Sequence, residues 1–400
     1  MMIAFVKQKI NALKQSRFLQ LNAVKKELKK KSKHIRNSVR LPALTPKDGE
    51  LIERIKEKTE RLNANNVTRT TAYYDFYCRH PEIHWALLGH MVSRNGGWNM
   101  TDLKGELLSR LLSEQEQKEF FHFLERGNWL IFQDVYPQFL LYEESLKRKE
   151  NLFYLLPYFH VSTFMETMWN HFMKRGDRYS LAMALIINEQ NYLEQRVICN
   201  EYYRKTVLQT IEFKMQDILS LNQILFPCYR DMKNTTSTTV MVGQTLHHFA
   251  SLHDRILLGK RLYSVIFNDP DVSRCITDWA ADHPHTASRK DYWPHLFNDV
   301  NESLPGVPYK RKTDHCRLRE HAAKIYSPSL RYVWNHVEHD KAEVGDWFKD
   351  WKVIVYFLDP KEQVNGEIYD AYCETLEKIE LAVMAKTALF KRYDEKTNVL

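Results

Sequence analysis

The stretch HPEIHWALLGHMVSRNGGWNM, residues 80–100, combines three histidines, a Ser-Arg-Asn triplet and a Gly-Gly pair with bulky apolar side chains. His80-Pro81 is typical of a helix start, because proline at the first helical position needs no hydrogen-bond donor. Asn95-Gly96-Gly97 is typical of a helix end, since glycine accepts the left-handed backbone of a C-terminal cap. The stretch therefore predicts a helix over residues 81–95.

On a helical wheel, no face of this helix carries the lysines and glutamates of a solvated surface. The helix is therefore predicted to be buried on nearly every side. Polar side chains in such a place must find hydrogen-bond partners inside the protein, or each costs about 1–3 kcal/mol. They indicate either a structural network that fixes the helix orientation or a polar pocket.

His90 and Arg94 are i,i+4 neighbours in this helix. We expect the arginine to lower the imidazole pKa and to keep His90 neutral near pH 7. A neutral histidine beside an arginine suits recognition of an anion or a carbonyl group. The candidate pocket spans 69–102, and its predicted members are Arg69, Tyr73, Glu82, His84, His90, Ser93, Arg94, Asn95 and Asp102.

Glycine and proline are scarce across the chain, with 12 and 13 copies in 400 residues. Turn-rich β architectures need more of both, since the usual fractions are about 7% and 5%. We therefore predict an all-α, multi-helix array, built as one large domain or as two packed helical subdomains. The Thr-rich stretch at 231–240 is the expected joint, which gives an arm and linker at 1–45 and subdomains at 46–231 and 241–400.

Apolar periodicity and capping residues predict where the other helices lie. Ser113 with Glu116 forms a capping box for a helix that is expected to end at Gly127. Further helices are predicted at 47–63, 100–112, 129–149, 162–175, 178–191, 193–222, 243–267, 271–281, 314–325, 328–342 and 366–393.

The formal charge of +8 comes from an N-terminal arm. Residues 1–40 hold twelve Lys or Arg and one acid, whereas the other 360 hold 46 basic and 49 acidic side chains. Ile3, Val6, Ile10 and Leu13 recur at helical spacing within the arm. A basic amphipathic helix is typical of segments that bind an anionic membrane surface or nucleic acid, and the apolar stripe favours the membrane. A solvated tail is the alternative interpretation.

The six cysteines are scattered, with no C-x-x-C pair and no signal peptide ahead of them. This pattern predicts free thiols in a reducing cytosol and gives no support to a zinc site. No apolar run approaches the roughly 20 residues of a membrane-spanning helix. We therefore expect a cytoplasmic protein, peripheral to the membrane at most, that holds no cofactor.

The sequence does not decide whether the chain is an enzyme. The leading hypothesis is a protein that binds a polar or anionic partner in the 69–102 pocket. The alternative is a metal-dependent phosphohydrolase, because the adjacent His253 and Asp254 could supply an imidazole and a carboxylate to one divalent ion. A metal-independent helical ribonuclease is a weaker alternative, indicated by two loose pairs: Arg331 with His336, and Arg289 with His295.

Three segments carry a family resemblance: TRTTAYYDFY at 68–77, PEIHWALLGHMVSRNGGWNMTDLKG at 81–105 and HTASRKDYWPHLF at 285–297. Together they resemble an uncharacterised YppC-like family of bacillus-type bacteria. The resemblance implies a bacterial, cytosolic and helical protein, and it assigns no catalytic residues.

Overall fold

The computed structural model describes residues 21–33, 43–218, 222–230, 238–303, 307–357, 364 and 366–397. Helices dominate these residues, which confirms the all-α, multi-helix prediction. Helix α1 covers 21–33 and is followed by α2 (Pro46–Leu62), α3 (Asn66–Arg79), α4 (His84–Asp102), α5 (Leu108–Leu111), α6 (Glu114–Arg148), α7 (Thr163–Arg175), α8 (Arg178–Leu193), α9 (Glu201–Tyr203), α10 (Ile211–Ile218), α11 (Leu252–Phe267), α12 (Pro270–Asp282), α13 (Leu330–Val333) and α14 (Tyr369–Thr397).

A small amount of β-structure accompanies the helices. Strands β1 (Gln223–Arg230) and β2 (Thr238–Thr245) pair antiparallel, with Phe226 opposite Val242. Two shorter pairs follow: β3 (Phe297–Asn298) with β6 (Ile325–Tyr326) in parallel, and β4 (Thr313–Asp314) with β5 (Arg317–Leu318) antiparallel. β2 begins inside the joint that is predicted at 231–240, and residues 231–237 of that joint lie outside the described residues.

Helix α4 lies at the centre of the helical array, where it contacts α3, α6, α8, α11, α13 and β1. Its predicted end at Gly96-Gly97 is wrong, because the helix continues to Asp102. A Cβ on Gly97 would lie 2.4 Å from Asn66 Oδ1 and 2.8 Å from His285 Nε2. This glycine therefore allows close approach of neighbouring segments, which the sequence pattern cannot distinguish from a helix cap.

The predicted helices at 162–175, 178–191 and 271–281 are confirmed by α7, α8 and α12. The predicted break at Gly127 is wrong, since α6 runs through it without interruption, and a Cβ there would meet nothing within 4 Å. Helices are also absent from most of 314–325 and 328–342, where short strands, α13 and an irregular segment lie. Individual side chains attach the irregular segment, residues 334–350, to the helices. Trp334 Nε1 donates to Met100 O at 2.8 Å, and Trp347 Nε1 donates to Asn188 Oδ1 at 2.8 Å.

Part of the basic arm packs onto the helical body. Leu21, Val24 and Leu28 of α1 are buried, and Lys31 pairs with Glu166 at 3.0 Å. The ammonium of Lys29 lies 4.2 Å from the ring centroid of Trp351. The apolar face of α1 is thus used within the fold.

The stripe of Ile3, Val6, Ile10 and Leu13 lies outside the described residues. Binding of the arm to a membrane surface or to nucleic acid stays a prediction. None of the described helices has an apolar stretch long enough to cross a bilayer. The division at 1–45, 46–231 and 241–400 also stays a prediction; β1 from one side of the joint packs on α12 from the other.

Four of the six cysteines form disulfides, so the free-thiol prediction is wrong for them. Cys228 is bonded to Cys275, and Cys316 to Cys373, over sequence separations of 47 and 57 residues. Cys78 and Cys199 are unbridged and exposed. The pairs meet because β1 packs on α12 and because the β4–β5 turn meets α14, and neither contact can be derived from cysteine spacing.

Candidate ligand-binding cavity

Glu82, just before α4, and His84, its first residue, have their own local partners. The Nδ1 atom of His84 lies 2.8 Å from the Tyr263 hydroxyl, and its ring stacks on Phe267 with centroids 4.1 Å apart. Burial lowers the pKa of His84 to about 4, so this imidazole is neutral near pH 7. Glu82 accepts a hydrogen bond from the Tyr142 hydroxyl at 2.8 Å. Neither residue reaches the rest of the predicted pocket.

His90 and Arg94 form a buried pair in the middle of α4. His90 Nδ1 lies 2.8 Å from Thr70 O and therefore donates to it. Burial, and next the charge of Arg94, lower the pKa of His90 to about 3. Arg94 Nη1 donates to His283 O at 2.7 Å, and the guanidinium lies 4.6 Å from the Trp279 ring centroid. His90 is thus held neutral between Thr70 O and the Arg94 guanidinium, whose Nη1 lies 3.5 Å from His90 Nε2.

Ser93 belongs to a hydrogen-bonded chain that joins α3, α4 and the loop after α12. Asn66 Nδ2 donates to Ser93 O at 2.9 Å, and the Thr70 and Ser93 hydroxyls lie 2.6 Å apart. His285 Nε2 lies 2.7 Å from Asn66 Oδ1. Burial, with the nearby positive charge of Arg94, holds the pKa of His285 well below its usual range. The chain therefore consists of neutral groups.

The last two predicted members hold α4 against other elements. Asn95 Nδ2 donates to Leu225 O at 2.9 Å and Asn95 Oδ1 accepts from Leu225 N at 2.9 Å, so this side chain binds β1 as a neighbouring strand would. Asp102 accepts from Arg289 Nε and from the Ser327 hydroxyl. Burial raises the pKa of Asp102, and both partners counteract that rise.

Arg69 of α3 forms a buried ion pair with Glu125 of α6. Arg69 Nη2 lies 2.5 Å from Glu125 Oε2, and Nη1 donates to Asn63 O at 3.2 Å. Burial alone would raise the pKa of Glu125, but Arg69 and His339 bring it below its usual value. The positive charge of Arg69 is thus balanced by an ionised carboxylate.

A cavity of about 210 Å³ lies beside this ion pair, among α3, α4, α6, α8, α11 and the β1–β2 hairpin. Three predicted pocket residues line it, namely Arg69, Tyr73 and Ser93. Most of its wall is apolar, formed by Trp85, Leu88, Val92, Ile131, Ile186, Leu193, Ile198, Ile224, Leu246, Phe249, Leu258 and Leu262. Its remaining polar lining residues are Asn128, Glu189, Gln190 and Arg255. We call this space the α3–α4 cavity.

Two buried polar atoms of the lining residues lack a partner. Among the described residues, neither the Tyr73 hydroxyl nor Arg69 Nε has a hydrogen-bond partner, although both side chains are buried. Unsatisfied buried groups of this kind are rare in native proteins. They indicate a place where a bound molecule or water would complete the structure.

Glu189 at the end of α8 brings a titratable group to the same cavity. Burial raises its pKa to about 7, and hydrogen bonds from Gln190 and Trp85 limit that rise. Gln190 Nε2 donates to Glu189 Oε1 at 2.7 Å. Sequence reasoning missed this residue, and the available signal was an acid two residues after the apolar run LAMALII at 181–187.

A second cavity of about 380 Å³ lies between the start of α3 and residues 329–337. Its buried polar groups are used within the protein: Glu125 by Arg69, and His285 by Asn66. Within the described ranges, no lining residue of this cavity carries an unpartnered buried polar atom. The α3–α4 cavity is therefore the stronger candidate for a binding site.

The residues of the enzymatic alternatives lie elsewhere. His253 is exposed and its ring lies 5.7 Å from that of Tyr356, whereas Asp254 occupies the first turn of α11. Among the described residues, the group with metal-compatible geometry is Asp314, His315 and Glu377, which includes neither of them. Arg289 is occupied by Asp102, and Arg331 lies against the Tyr332 hydroxyl.

Comparison with known proteins places the chain in a family. A family model described as a protein of unknown function, DUF2515, matches residues 61–371, which include all of the α3–α4 cavity. The uncharacterized protein YppC of Bacillus subtilis (strain 168) is 43% identical over 241 residues, covering 60% of this chain and 72% of that protein. No solved structure matches the chain. The match extends over most of the residues that build the fold, so the chain belongs to the DUF2515 family, as the resemblance to YppC predicted.

Proposed function

We propose that the protein binds a small molecule with an apolar body and a polar end in the α3–α4 cavity. The observation that carries the proposal is the pair of unpartnered buried groups, the Tyr73 hydroxyl and Arg69 Nε, in residues that line an apolar enclosure. A mostly apolar cavity with a few polar groups is the usual form of a small-molecule site.

The wall of the cavity sets the character of the ligand. Trp85, Ile186 and Leu262 line it and are each about 2% exposed, so they form its closed side. Val92, Ile131 and Ile224 also line it and are only half-buried. An apolar ligand would cover these side chains, with about 25 cal/mol gained per Å² removed from water. The proposal thus shifts the expected partner from a polar or anionic molecule to an amphipathic one.

The polar members of the 69–102 segment divide between two roles in this proposal. Arg69, Tyr73 and Ser93 belong to the ligand site. His90, Arg94, Asn95 and Asp102 hold α4 against α3, β1 and the 283–291 loop through the contacts given above. The sequence pattern mixes the two sets because both require polar atoms on one buried helix pair.

A neutral probe tests the proposal. Naphthylmethanol has a two-ring apolar body and one hydroxyl, and its binding to the full-length protein is measured by isothermal titration calorimetry. Ile131→Trp fills the cavity from α6 and should reduce the affinity by at least about tenfold. Leu124→Trp is the matched control, because Leu124 is half-buried on the same helix and does not line the cavity.

Val92→Phe provides a second filling variant from α4, in case the Ile131 variant fails to fold. Circular dichroism establishes that each variant retains its helical content. Loss of binding in both filling variants, with retention in the Leu124 variant, supports the proposal. Equal affinity in all of these proteins would refute it, and so would a wild type that binds neither this probe nor a charged probe with the same naphthyl body.

A further inference from the structure

The two arginines that line the α3–α4 cavity are already neutralised. Arg69 is paired with Glu125 at 2.5 Å. Arg255 is paired with Glu194, and it also donates to Gln190 Oε1 at 3.0 Å and to Phe249 O at 2.6 Å. Neither Glu125 nor Glu194 lines the cavity. The cations therefore offer little net positive charge to an anionic ligand.

The carboxyl of Glu189 differs from the two arginines, because its charge is not neutralised by an ion pair within the described residues. Among the described residues, no ion pair joins Glu189 to a Lys, Arg or His side chain, and Arg255 attracts it from beyond ion-pair distance. When this carboxyl ionises, the cavity and the partners of its arginines together carry one uncompensated negative charge. Glu189 is half-buried, and a carboxylate partly withdrawn from water without an ion-pair partner is costly, so the site favours a ligand that supplies the opposite charge.

Aromatic side chains surround the same space. Trp85, Tyr73 and Phe249 all line the cavity. Tyr73 and Trp85 meet edge to face, with centroids 5.3 Å apart and ring planes at 87°. The faces of such rings attract cations, and aromatic enclosures with a carboxylate are a recurrent way to hold an ammonium group. The unpartnered Tyr73 hydroxyl can accept a hydrogen bond from the same group.

We propose that the ligand of the α3–α4 cavity is a small apolar amine, whose ammonium group is held by Glu189 and whose body lies among Trp85, Tyr73 and Phe249. This inference rests on the proposed function, because it assigns the ligand class to the same cavity. It also specifies the charge of the ligand, which the apolar wall alone does not.

Proton linkage follows from the state of Glu189. With a pKa of about 7, the carboxyl is about nine-tenths protonated at pH 6 and about nine-tenths ionised at pH 8. An alkylammonium ligand stays protonated throughout this interval. The affinity for the amine should therefore be about tenfold higher at pH 8 than at pH 6.

The other charged groups around Glu189 limit which residues can cause this dependence. They are Arg255 on α11, Arg69 and Tyr73 on α3, and Asp134 on α6. Burial raises the pKa of Tyr73 well above its usual value, so this hydroxyl stays neutral between pH 6 and 8. Burial raises the pKa of Asp134 to about 7, so this residue titrates in the same interval and requires its own control.

Three probes share a naphthyl group and differ in the charge of their polar end: naphthylmethylamine, naphthylmethanol and naphthoate. Calorimetry on the full-length protein at pH 8 should show the amine binding at least about tenfold more tightly than the alcohol, with the naphthoate weakest. Only the amine should lose affinity between pH 8 and pH 6. Glu189→Gln should remove the amine preference and its pH dependence, while the affinity for the alcohol stays within about twofold.

Asp134→Asn is the control variant, and it should keep the amine preference and the loss of amine affinity towards low pH, with the midpoint moved to lower pH because Asp134 helps to raise the pKa of Glu189. If Glu189→Gln fails to fold, the pH dependence of the wild type with the amine and the alcohol still decides. Equal affinities for amine and alcohol, or tightest binding of naphthoate, would overturn the amine assignment and leave the proposed function standing. Failure of all three probes to bind would remove the proposed function as well.

Discussion

At the scale of single residues, Gly97 determines how closely three segments meet. The Asn66 amide and the His285 ring both occupy the space where a Cβ of residue 97 would lie. These two side chains continue the polar chain that reaches Ser93 at the cavity wall. A glycine inside a helix costs about 1 kcal/mol relative to alanine. At position 97 the glycine is required nevertheless, because a larger residue would collide with Asn66 and His285.

Gly97→Ala should destabilise the protein by about 1–3 kcal/mol, because the added methyl group would force apart Asn66, His285 and α4. Gly127→Ala is the matched control in α6, where a Cβ meets nothing within 4 Å. It should leave stability unchanged or raise it by up to about 1 kcal/mol. Urea unfolding of both variants gives the comparison. A neutral effect at Gly97 would contradict the packing described for α3 and α4.

Asp134 provides a second prediction at this scale. It is fully enclosed and accepts from Asn188 Nδ2 at 2.5 Å and from Gln138 Nε2 at 3.0 Å. Burial raises its pKa to about 7, whereas an unfolded chain has an ordinary value near 4. Between these two values the folded state holds a proton that the unfolded state has released. The contribution of Asp134 to stability therefore falls as the pH rises through this interval.

The unfolding free energy of the wild type, relative to Asp134→Asn, should fall by about 1.4 kcal/mol per pH unit between pH 5 and 7 and then become constant. Urea denaturation at half-unit steps of pH measures this difference. Parallel profiles for the two proteins would show that the carboxyl titrates normally in the folded state.

At the scale of elements, the sequence predicts helices well where local signals are sufficient. The capping box of Ser113 and Glu116 is present, with the Ser113 amide donating to Glu116 Oε2 at 2.6 Å. Local periodicity cannot show that β1 pairs with β2, because strand formation depends on packing against cross-strand and same-face neighbours more than on the pattern of one segment. It also mistakes 328–342 for a helix, since Trp334 and Val337 pack as separate anchors of an irregular segment.

The contact between α4 and the β1–β2 hairpin depends on Asn95. Asn95→Ala should cost about 2–3 kcal/mol, because the backbone N–H and C=O of Leu225 would both lose their partner inside the protein. Asn191→Ala is the control, since Asn191 is half-buried and, among the described residues, its side chain donates to Ile187 O of its own helix and to no other element. Its expected cost is below about 1 kcal/mol. Equal effects in urea unfolding would mean that Asn95 does not join the helix to the hairpin.

At the scale of the whole molecule, two disulfides connect elements far apart in sequence. Cys228–Cys275 joins β1 to α12, and Cys316–Cys373 joins the β4–β5 turn to α14. The denatured protein without reductant should take up two alkylating groups, at Cys78 and Cys199, and the reduced protein six. Reduction should also lower the unfolding free energy by about 2–5 kcal/mol per bond. Uptake of six groups without reductant, measured by mass spectrometry, would contradict the pairing.

The candidate site combines residues that are far apart in sequence, and sequence patterns could predict only some of them. Arg69, Tyr73 and Ser93 could be selected because they lie in or beside a polar, buried helix. Glu189, Phe249 and the other distant lining residues come from α8 and from the region of α11, and only the packing of these elements on α4 brings them to one cavity. The sequence pattern could indicate buried polarity, but it could not divide it between a binding site and a structural network.

The most direct test of the ligand site is a crystal structure of the full-length protein grown with naphthylmethylamine at pH 8. We expect the two rings to lie among Trp85, Tyr73 and Phe249, with the amine nitrogen within hydrogen-bond distance of the Glu189 carboxylate. Density for the ligand at another surface, or an α3–α4 cavity that holds no ligand at saturating concentration, would contradict the assignment of this cavity as the binding site.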